Sequence, residues 1–154
     1  MQQIKIPDKH LKIFAKLSGD FNPIHLDKTY ASKSIFKTKI IYGIFQVFLA
    51  LEKFLTTNKS PIHLLKISAN FLTPILHGDK FYIQIDQSHN NVTCNIYLSN
   101  QNKPVSNIHF YFKNSKKLLG YRKNSHFLNK QPMEINELLQ GGGGLQNYFS
   151  IQSY

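Results

Sequence analysis

The chain has 154 residues, of which 42% are hydrophobic, a size that suits one globular domain with its own core and leaves no room for a second complete domain. Its formal net charge of +11 comes from eighteen lysines and a single arginine, Arg122, whereas proteins that read phosphates and bases favour arginine for its planar set of donors. A nucleic-acid partner is therefore not expected, and the lysines indicate a solvated surface that attracts anionic carriers.

The cysteine content and the longest apolar stretch bear on the compartment. Cys94 is the single cysteine, so no internal disulfide can form, and the sequence opens without a charged and then apolar leader. The apolar stretch 40–51 is interrupted by Tyr42, Gly43 and Gln46 and is shorter than the roughly 20 residues that cross a bilayer. A cytoplasmic protein without a membrane span is expected, with this stretch forming a buried helix.

The N-terminal part of the chain predicts a short strand and then a helix. Residues 4–6 alternate apolar and polar side chains, and Pro7 ends this alternation. Asp8 is a good N-cap for a helix that continues to about Leu17 with one apolar face. Gly19 then ends the helix, because glycine tolerates the left-handed conformation that follows many helix C-termini.

A loop and two further helices are predicted next. Residues 20–26 form a loop between helices, because Asp27 is a suitable cap for a second short helix. From Tyr42 to about Thr56, apolar residues cover nearly the whole circumference of a helix, and this pattern is typical of a helix surrounded by other structure. We expect this long helix to lie at the centre of the domain.

After the central helix the apolar period changes to two, which predicts consecutive strands. The inward positions are Leu65, Ile67, Ala69 and Phe71; Phe81, Ile83 and Ile85; Val92, Cys94, Ile96 and Leu98; Ile108, Phe110 and Phe112; and Leu118 to Tyr121. Residues 88–91 and 99–102 are rich in Asn and Ser and predict hairpin turns. The sheet should be antiparallel and mostly meander-connected, so the fold class is α+β.

The chain after residue 128 differs in character. Residues 129–154 contain the run Gly141 to Gly144 and few periodic apolar residues. Such a run is typical of a flexible linker. We therefore divide the chain into a domain over 1–128 and a C-terminal extension over 129–154, which is a linker, a docking segment or disordered.

The loop after the first helix carries three side chains of distinct chemistry within six residues. They are the carboxylate of Asp20, the amide of Asn22 and the imidazole of His25, and Pro23 restricts the backbone between them. A carboxylate and an imidazole with a pKa near neutrality can act as an acid/base pair. Taken by themselves, the same residues are equally compatible with Asx turns, capping and a structural histidine.

Three motifs in order resemble the MaoC-like, R-specific enoyl-CoA hydratases. The first is Phe14-Ala15-Lys16-Leu17-Ser18-Gly19-Asp20-Phe21-Asn22-Pro23-Ile24-His25-Leu26-Asp27, the second is Tyr42-Gly43-Ile44-Phe45, and the third runs from Phe71 to Gly78-Asp79. Gly78-Asp79 is also a turn pair by composition. The resemblance covers about residues 4–128.

This resemblance implies a hot-dog fold, in which an antiparallel sheet wraps around the long central helix. It implies reversible addition of water to a trans-2-enoyl thioester of CoA or an acyl-carrier protein, by a homodimer that needs no cofactor. Asp20 and His25 would activate the water and return a proton, and Asn22 would help to hold the water. The backbone N–H of Gly43 would stabilise the enolate oxygen, which requires close approach to a residue without a side chain.

The sequence departs from the family pattern at several positions. Tyr42 stands where the family usually has histidine, and a phenol can donate a hydrogen bond but titrates far higher than an imidazole. Phe48 or Leu51 stands where members carry a small polar residue near the site, which indicates a reshaped acyl pocket. The leading strand of the family is expected to be short or absent.

Two other functions remain open from the sequence. A hot-dog thioesterase would use Glu52, the one acidic residue on the central helix. A non-catalytic module that binds acyl thioesters is favoured by Tyr42 and by the glycine-containing tail. A metal site is not expected, because the remaining histidines have no metal-like spacing with Asp, Glu or Cys94, and Cys94 itself alternates with core residues.

Overall fold

The structure is a computed structural model that describes residues 2–58 and 60–114. Its elements are α1 (Asp8–Ser18), α2 (Pro23–Leu26), α3 (Lys28–Ser32), α4 (Gly43–Thr57), β1 (Ile62–Phe71), β2 (Phe81–Gln87), β3 (Asn91–Leu98) and β4 (Ser106–Asn114). The strand predicted at 118–121 and the extension over 129–154 lie outside the described residues. Within the described part of the chain, no helix is long and apolar enough to span a membrane.

Helix α1 begins one residue earlier than the sequence predicts. Pro7 occupies the N-cap position, and Asp8 is the first helical residue, so the prediction that Asp8 caps the helix is wrong. Its carboxylate is instead paired with Lys39, whose side chain is only 9% exposed, and with Lys12. The predicted end of the helix is confirmed, because Gly19 has a φ of 76° and donates its N–H to the carbonyl of Ala15.

The central helix α4 has the predicted length, but other parts of the protein bury it less completely than predicted. Phe54 is completely buried, and its ring packs against Phe110 and Phe112, with centroid distances of 6.0 and 5.2 Å. Ile44 and Leu55, however, are 51% and 48% exposed. The expectation that apolar cover extends around the whole helix is therefore wrong, because one side of α4 faces away from the sheet.

The four strands form one antiparallel sheet in the order β1-β4-β3-β2. Both predicted hairpin turns are confirmed, since residues 88–90 connect β2 to β3 and residues 99–105 connect β3 to β4. The meander does not include β1, because β1 pairs with β4 and the chain then crosses to the opposite edge before β2. Within this crossing, Gly78 and Asp79 form the predicted turn, where Gly78 has a φ of 106° and Asp79 accepts a hydrogen bond from the N–H of Leu76 at 2.9 Å.

Strand β1 contains a bulge that the alternation does not reveal. The register shifts between Leu64 and Lys66, so Leu64 lies opposite the buried Phe112 and the intervening Leu65 is 52% exposed. Ile67 lies opposite the buried Phe110 and so faces the core side as predicted, yet it is 43% exposed. The reason is that β1 is an edge strand, and the cover of the sheet ends there.

The leading strand is reduced to an isolated bridge. Ile4 and Phe81 exchange backbone hydrogen bonds of 2.7 and 3.0 Å, and no further residue of the N-terminal segment joins the described sheet. The core of the domain lies between α1, α4 and the inner face of the sheet. The N-terminus of α4 emerges from this core beside the α1–α2 loop, where the three sequence motifs meet.

Candidate active site

The segment between α1 and α3 is ordered by two successive side-chain turns. Asp20 Oδ1 accepts a hydrogen bond from the N–H of Asn22 at 3.0 Å, and Asn22 Oδ1 accepts one from the N–H of Ile24 at 3.1 Å. Asn22 thereby caps α2, whose first residue is Pro23. The predicted loop over 20–26 is therefore only half a loop, because its last four residues form a helical turn. Asp27 caps α3 through its Oδ1, as predicted.

His25 is half-buried on α2, and its protonation pattern follows from its hydrogen bond. Its Nδ1 lies 2.8 Å from the carbonyl oxygen of Ile40. Because a carbonyl can only accept, neutral His25 carries its proton on Nδ1 and keeps a lone pair on Nε2. This is the tautomer that allows Nε2 to take a proton from water or from a hydroxyl group.

Tyr42 connects the imidazole to the α1–α2 loop. It is 1% exposed, its ring stacks on that of His25 at a centroid distance of 3.8 Å, and its hydroxyl donates to the backbone carbonyl of Asp20 at 2.9 Å. Burial, together with the nearby carboxylate of Asp20, raises the pKa of Tyr42 to about 12. The phenol therefore stays protonated at neutral pH and keeps its hydrogen bond to the loop.

A cavity of about 280 Å³ opens beside His25 at the N-terminus of α4. It is lined by His25, Ile40, Ile41, Gly43, Gln46, Phe71, Leu72, Thr73 and Pro74. Gly43 is the first residue of α4, so its backbone N–H has no partner within the helix. A Cβ at this position would lie 2.9 Å from a ring carbon of Phe71, and the site is therefore compatible only with glycine unless Phe71 moves.

The structure brings some of the predicted site residues together and separates others. His25 and Gly43 line the same cavity, and Tyr42 packs directly behind them. Asp20 and Asn22 lie on the exposed loop and do not line this cavity. Within the described residues, no hydrogen bond joins the carboxylate of Asp20 to His25, and the connection between these two residues runs through Tyr42.

Comparison with known proteins relates this arrangement to one family. A family model for the "MaoC like domain" matches residues 1–107. The chain belongs to the MaoC-like domain family. An "(R)-specific enoyl-CoA hydratase" from Aeromonas caviae is 33% identical over 75 residues, which are 47% of this chain and 55% of that protein. The chain thus spans about half the length of this curated relative.

Solved structures of a hydratase and of a dehydratase share the fold. An R-hydratase, PhaJ1 from Pseudomonas aeruginosa, is 23% identical with a TM-score of 0.67, over 75% of this chain and 79% of that one. The truncated HadBC complex, a (3R)-hydroxyacyl-ACP dehydratase from Mycobacterium tuberculosis, is 15% identical with a TM-score of 0.63, over 73% of this chain and 90% of that one. The predicted hot-dog fold and the predicted membership in this family of hydratases and dehydratases are confirmed.

Two polar residues beside the cavity of this MaoC-like chain were not predicted from the sequence. Gln46 is 2% exposed and Ser106 is fully buried, and the hydroxyl of Ser106 donates to Oε1 of Gln46 at 2.7 Å. Gln46 also lines the cavity, three residues after Gly43. The signal in the sequence is that Gln46 is the one amide side chain of α4 and interrupts the apolar stretch 40–51.

The residues on which the alternatives depend lie elsewhere. Glu52 is exposed and lines a different cavity of about 530 Å³ with Gln2, Ile4, Leu49, Lys53, Thr56 and Thr57. Cys94 is fully buried, and burial raises the pKa of its thiol to about 12. No group of three or more His, Cys, Asp and Glu side chains suited to a metal ion occurs within residues 2–58 and 60–114.

Proposed function

We propose that the protein is an (R)-specific hydratase or dehydratase that interconverts trans-2-enoyl and 3-hydroxyacyl thioesters. The observation that carries this proposal is one cavity lined by both His25 and Gly43. Among the described residues, Nε2 of His25 has no hydrogen-bond partner, and the N–H of Gly43 at the start of α4 has none within the helix. An enoyl thioester needs both groups, one to activate water and one to bind the carbonyl oxygen. The similar protein from Aeromonas caviae is an "(R)-specific enoyl-CoA hydratase", which supports the proposal.

The chemistry balances with water as the only co-reactant. Nε2 of His25 takes a proton from a water molecule, whose oxygen bonds to C3 of the substrate. The electrons of the C2=C3 bond move to C2 and the thioester oxygen, where the N–H of Gly43 and the dipole of α4 stabilise the enolate. The proton held by His25 then passes to C2. Asp20 and Asn22 do not line the cavity, and in this proposal they act on the water from the adjoining loop, which Tyr42 connects to His25. Dehydration is the same sequence in reverse.

The test follows the absorbance of an enoyl thioester as water adds to its double bond. We expect His25→Ala and Asp20→Asn each to lower kcat by about 100-fold or more. His89→Ala and Asp86→Asn are matched controls, because both residues are exposed on the sheet side of the molecule. Unchanged rates in both site variants would overturn the mechanism, and binding without turnover by the wild type would identify a non-catalytic module. Release of free thiol that depends on Glu52 would identify a thioesterase.

The carrier is proposed from the charge of the chain. With a net charge of +11, the protein attracts both the phosphates of CoA and the acidic surface of an acyl-carrier protein. A comparison of kcat/KM between the CoA thioester and the acyl-carrier-protein thioester separates these carriers. Repeating the comparison at increasing salt tests the electrostatic attraction, because attraction between exposed charges weakens as salt screens it. A cytoplasmic setting stays a prediction from the single cysteine.

We further infer a homodimer that forms along the edge of β1 with which no described strand pairs. Four apolar side chains of β1 and the residue after it are exposed: Leu65, Ile67, Phe71 and Leu72 are between 43% and 59% exposed. Unpaired edge strands with apolar side chains are unfavourable in water. A second copy of the chain would continue the sheet and cover them, in the two-fold arrangement common to homo-oligomers.

Light scattering of the purified protein tests the dimer. We expect a mass of twice the chain, and a shift toward the monomer in Ile67→Lys, because a charge would be buried at the interface. Ile35→Lys is the matched control, since Ile35 is 86% exposed and lies outside the sheet. A monomeric wild-type protein would contradict the inference.

A further inference from the structure

We propose that Gln46 is a second hydrogen-bond donor to the thioester carbonyl oxygen, acting beside the N–H of Gly43. The inference rests on the proposed function and assigns a catalytic role to a residue within the central helix. Four observations carry it: the burial of the Gln46 amide, the orientation that Ser106 gives to that amide, its position relative to Gly43, and the cavity that both residues line.

The amide of Gln46 is only half satisfied within the described residues. Its Oε1 accepts the hydroxyl hydrogen of Ser106 at 2.7 Å, whereas its Nε2 donates to no described protein atom. Gln46 is 2% exposed, and a buried donor without an acceptor costs about 1–3 kcal/mol. An acceptor supplied by a bound molecule in the cavity would remove this cost.

The contact with Ser106 determines which end of the amide is available. Because the Ser106 hydroxyl donates to Oε1, the amide is oriented with its oxygen toward β4 and keeps both hydrogens of Nε2 for another partner. Ser106 has no exposed surface, so water does not compete for this bond. In this structure the oxygen end of the amide is thus already engaged by Ser106 before any substrate binds.

The helix places the Gln46 side chain next to Gly43. Cα–Cβ bonds in an α-helix tilt toward the N-terminus, so the side chain of residue i+3 extends over residue i. Gly43 has no side chain to occupy that space. Ser106 lies opposite Phe71 in the sheet, and the ring of Phe71 lies against Gly43. The four residues therefore converge at one end of the cavity.

Two donors are what the proposed reaction requires at this point. The oxygen of the thioester gains negative charge as the enolate forms, and a pre-oriented donor in a site sheltered from water stabilises that charge without reorganising. A carbonyl oxygen has two lone pairs, which suits one backbone N–H and one side-chain amide. An apolar side chain at position 46 would leave only the first of these donors.

The experiment compares Gln46→Met with the wild-type protein and with Gln101→Met, an exposed loop glutamine as the matched control. Methionine has a similar length but no donor. We expect kcat to fall about 30-fold or more in Gln46→Met, toward the 100-fold typical of losing an oxyanion donor, with KM changing by less than about threefold. A value of kcat within about twofold of the wild type would overturn the proposal.

A second measurement does not depend on turnover. Polarisation of the carbonyl shifts the absorbance of a conjugated enoyl thioester to longer wavelength, and this shift can be recorded on binding to His25→Ala. We expect the shift to shrink when Gln46→Met is added, and also with Ser106→Ala, which releases the amide. If the wild type shows no turnover but the shift depends on Gln46, the proposed function fails and the donor stands.

Thermal unfolding separates this role from a purely structural one. A glutamine that serves only to satisfy Ser106 would lower Tm on substitution and leave both kcat and the absorbance shift unchanged at temperatures where the variant is folded. That result would overturn the proposal. Gln46→Glu adds a stricter arm, because it keeps an acceptor for Ser106 but replaces the donor, and we expect it to lose the shift as well.

Discussion

Replacing Gly43 by alanine tests whether the carbonyl of a substrate approaches the backbone at the start of α4. The added Cβ would lie 2.9, 3.0 and 3.2 Å from three ring carbons of Phe71, whereas comfortable carbon contacts are about 3.5–4.0 Å. The ring must therefore move by roughly 0.5–1 Å. Phe71 is 49% exposed on an edge strand, so it can move at low cost.

We expect Gly43→Ala to separate activity from stability. The free energy of unfolding should change by less than about 1 kcal/mol, because the small strain is offset by the better helix propensity of alanine. In contrast, kcat/KM should fall by about 10- to 100-fold, because the Cβ displaces the carbonyl from its donors by about 1 Å. Progress curves of enoyl thioester hydration and thermal unfolding of the same preparation give the two values.

Two further variants make the reasoning refutable. Gly78→Ala places its Cβ in open space but at a φ of 106°, so it should lose about 1–2 kcal/mol of stability and keep its kcat/KM well below Tm. In Gly43→Ala/Phe71→Leu the ring is gone and the Cβ remains, so activity should stay low. Wild-type kcat/KM in Gly43→Ala would refute the approach to the backbone, and recovery in the double variant would attribute the loss to Phe71.

Three more outcomes follow from the buried groups. The folded-state pKa of Tyr42, about 12, lies above its usual 10.0. The stability that the protonated phenol contributes is therefore complete below pH 10 and is lost as the pH rises from 10 to 12. Tyr42→Phe removes this titration and should reduce the fall in Tm between pH 9 and 11. Cys94 is fully buried, and its raised pKa keeps it a thiol, so an alkylating reagent should label it only in denaturant, and mass spectrometry would reveal any native labelling that contradicts this. Asp8→Asn leaves the buried Lys39 without its carboxylate partner, which is itself 40% exposed, and should cost about 1–3 kcal/mol in denaturant unfolding. Lys12→Ala removes the exposed partner of the same carboxylate and should cost less than about 0.5 kcal/mol.

Features governed by nearby residues were predictable from the sequence. Gly19 ends α1, Asp27 caps α3, and the turn at Gly78-Asp79 forms where composition places it. Each depends on a conformation or a hydrogen bond within about three residues, and residue type decides it locally. The alternation of β3 and β4 was also readable, because both strands are interior to the sheet and bury one complete face.

Features that depend on distant partners were not predictable. Asp8 has the residue type and the position of a helix cap, and its partner Lys39 is 31 residues away. No local pattern shows that this buried cation requires the carboxylate of Asp8. The position of β1 beside β4 is likewise a choice between sheet edges that periodicity does not encode. The bulge of β1 at Leu65 shifts the alternation of inward and outward side chains by one residue. A search for period two in the sequence does not distinguish such a bulged strand from an ordinary one.

In the candidate site, too, residues with local signals were predictable and a residue with a distant partner was not. The motif from Asp20 to His25 could be identified because its residues are contiguous in the sequence. Gly43 was assigned a role through the family resemblance of Tyr42-Gly43-Ile44-Phe45. Gln46 was not assigned a role, because its meaning comes from Ser106, 60 residues later in the chain. Only the folded sheet shows that the one amide within the central helix is held by a buried hydroxyl at the end of the cavity.

The contacts of Tyr42 explain why a phenol fits at a position where the family usually has histidine. An imidazole at this position would be smaller and could titrate near neutrality, beside a second imidazole at 3.8 Å. The phenol carries no charge at neutral pH, fills the space between α1 and α4, and donates to the carbonyl of Asp20. One side chain thus connects the loop of the proposed acid/base pair to the helix that supplies the proposed carbonyl donors.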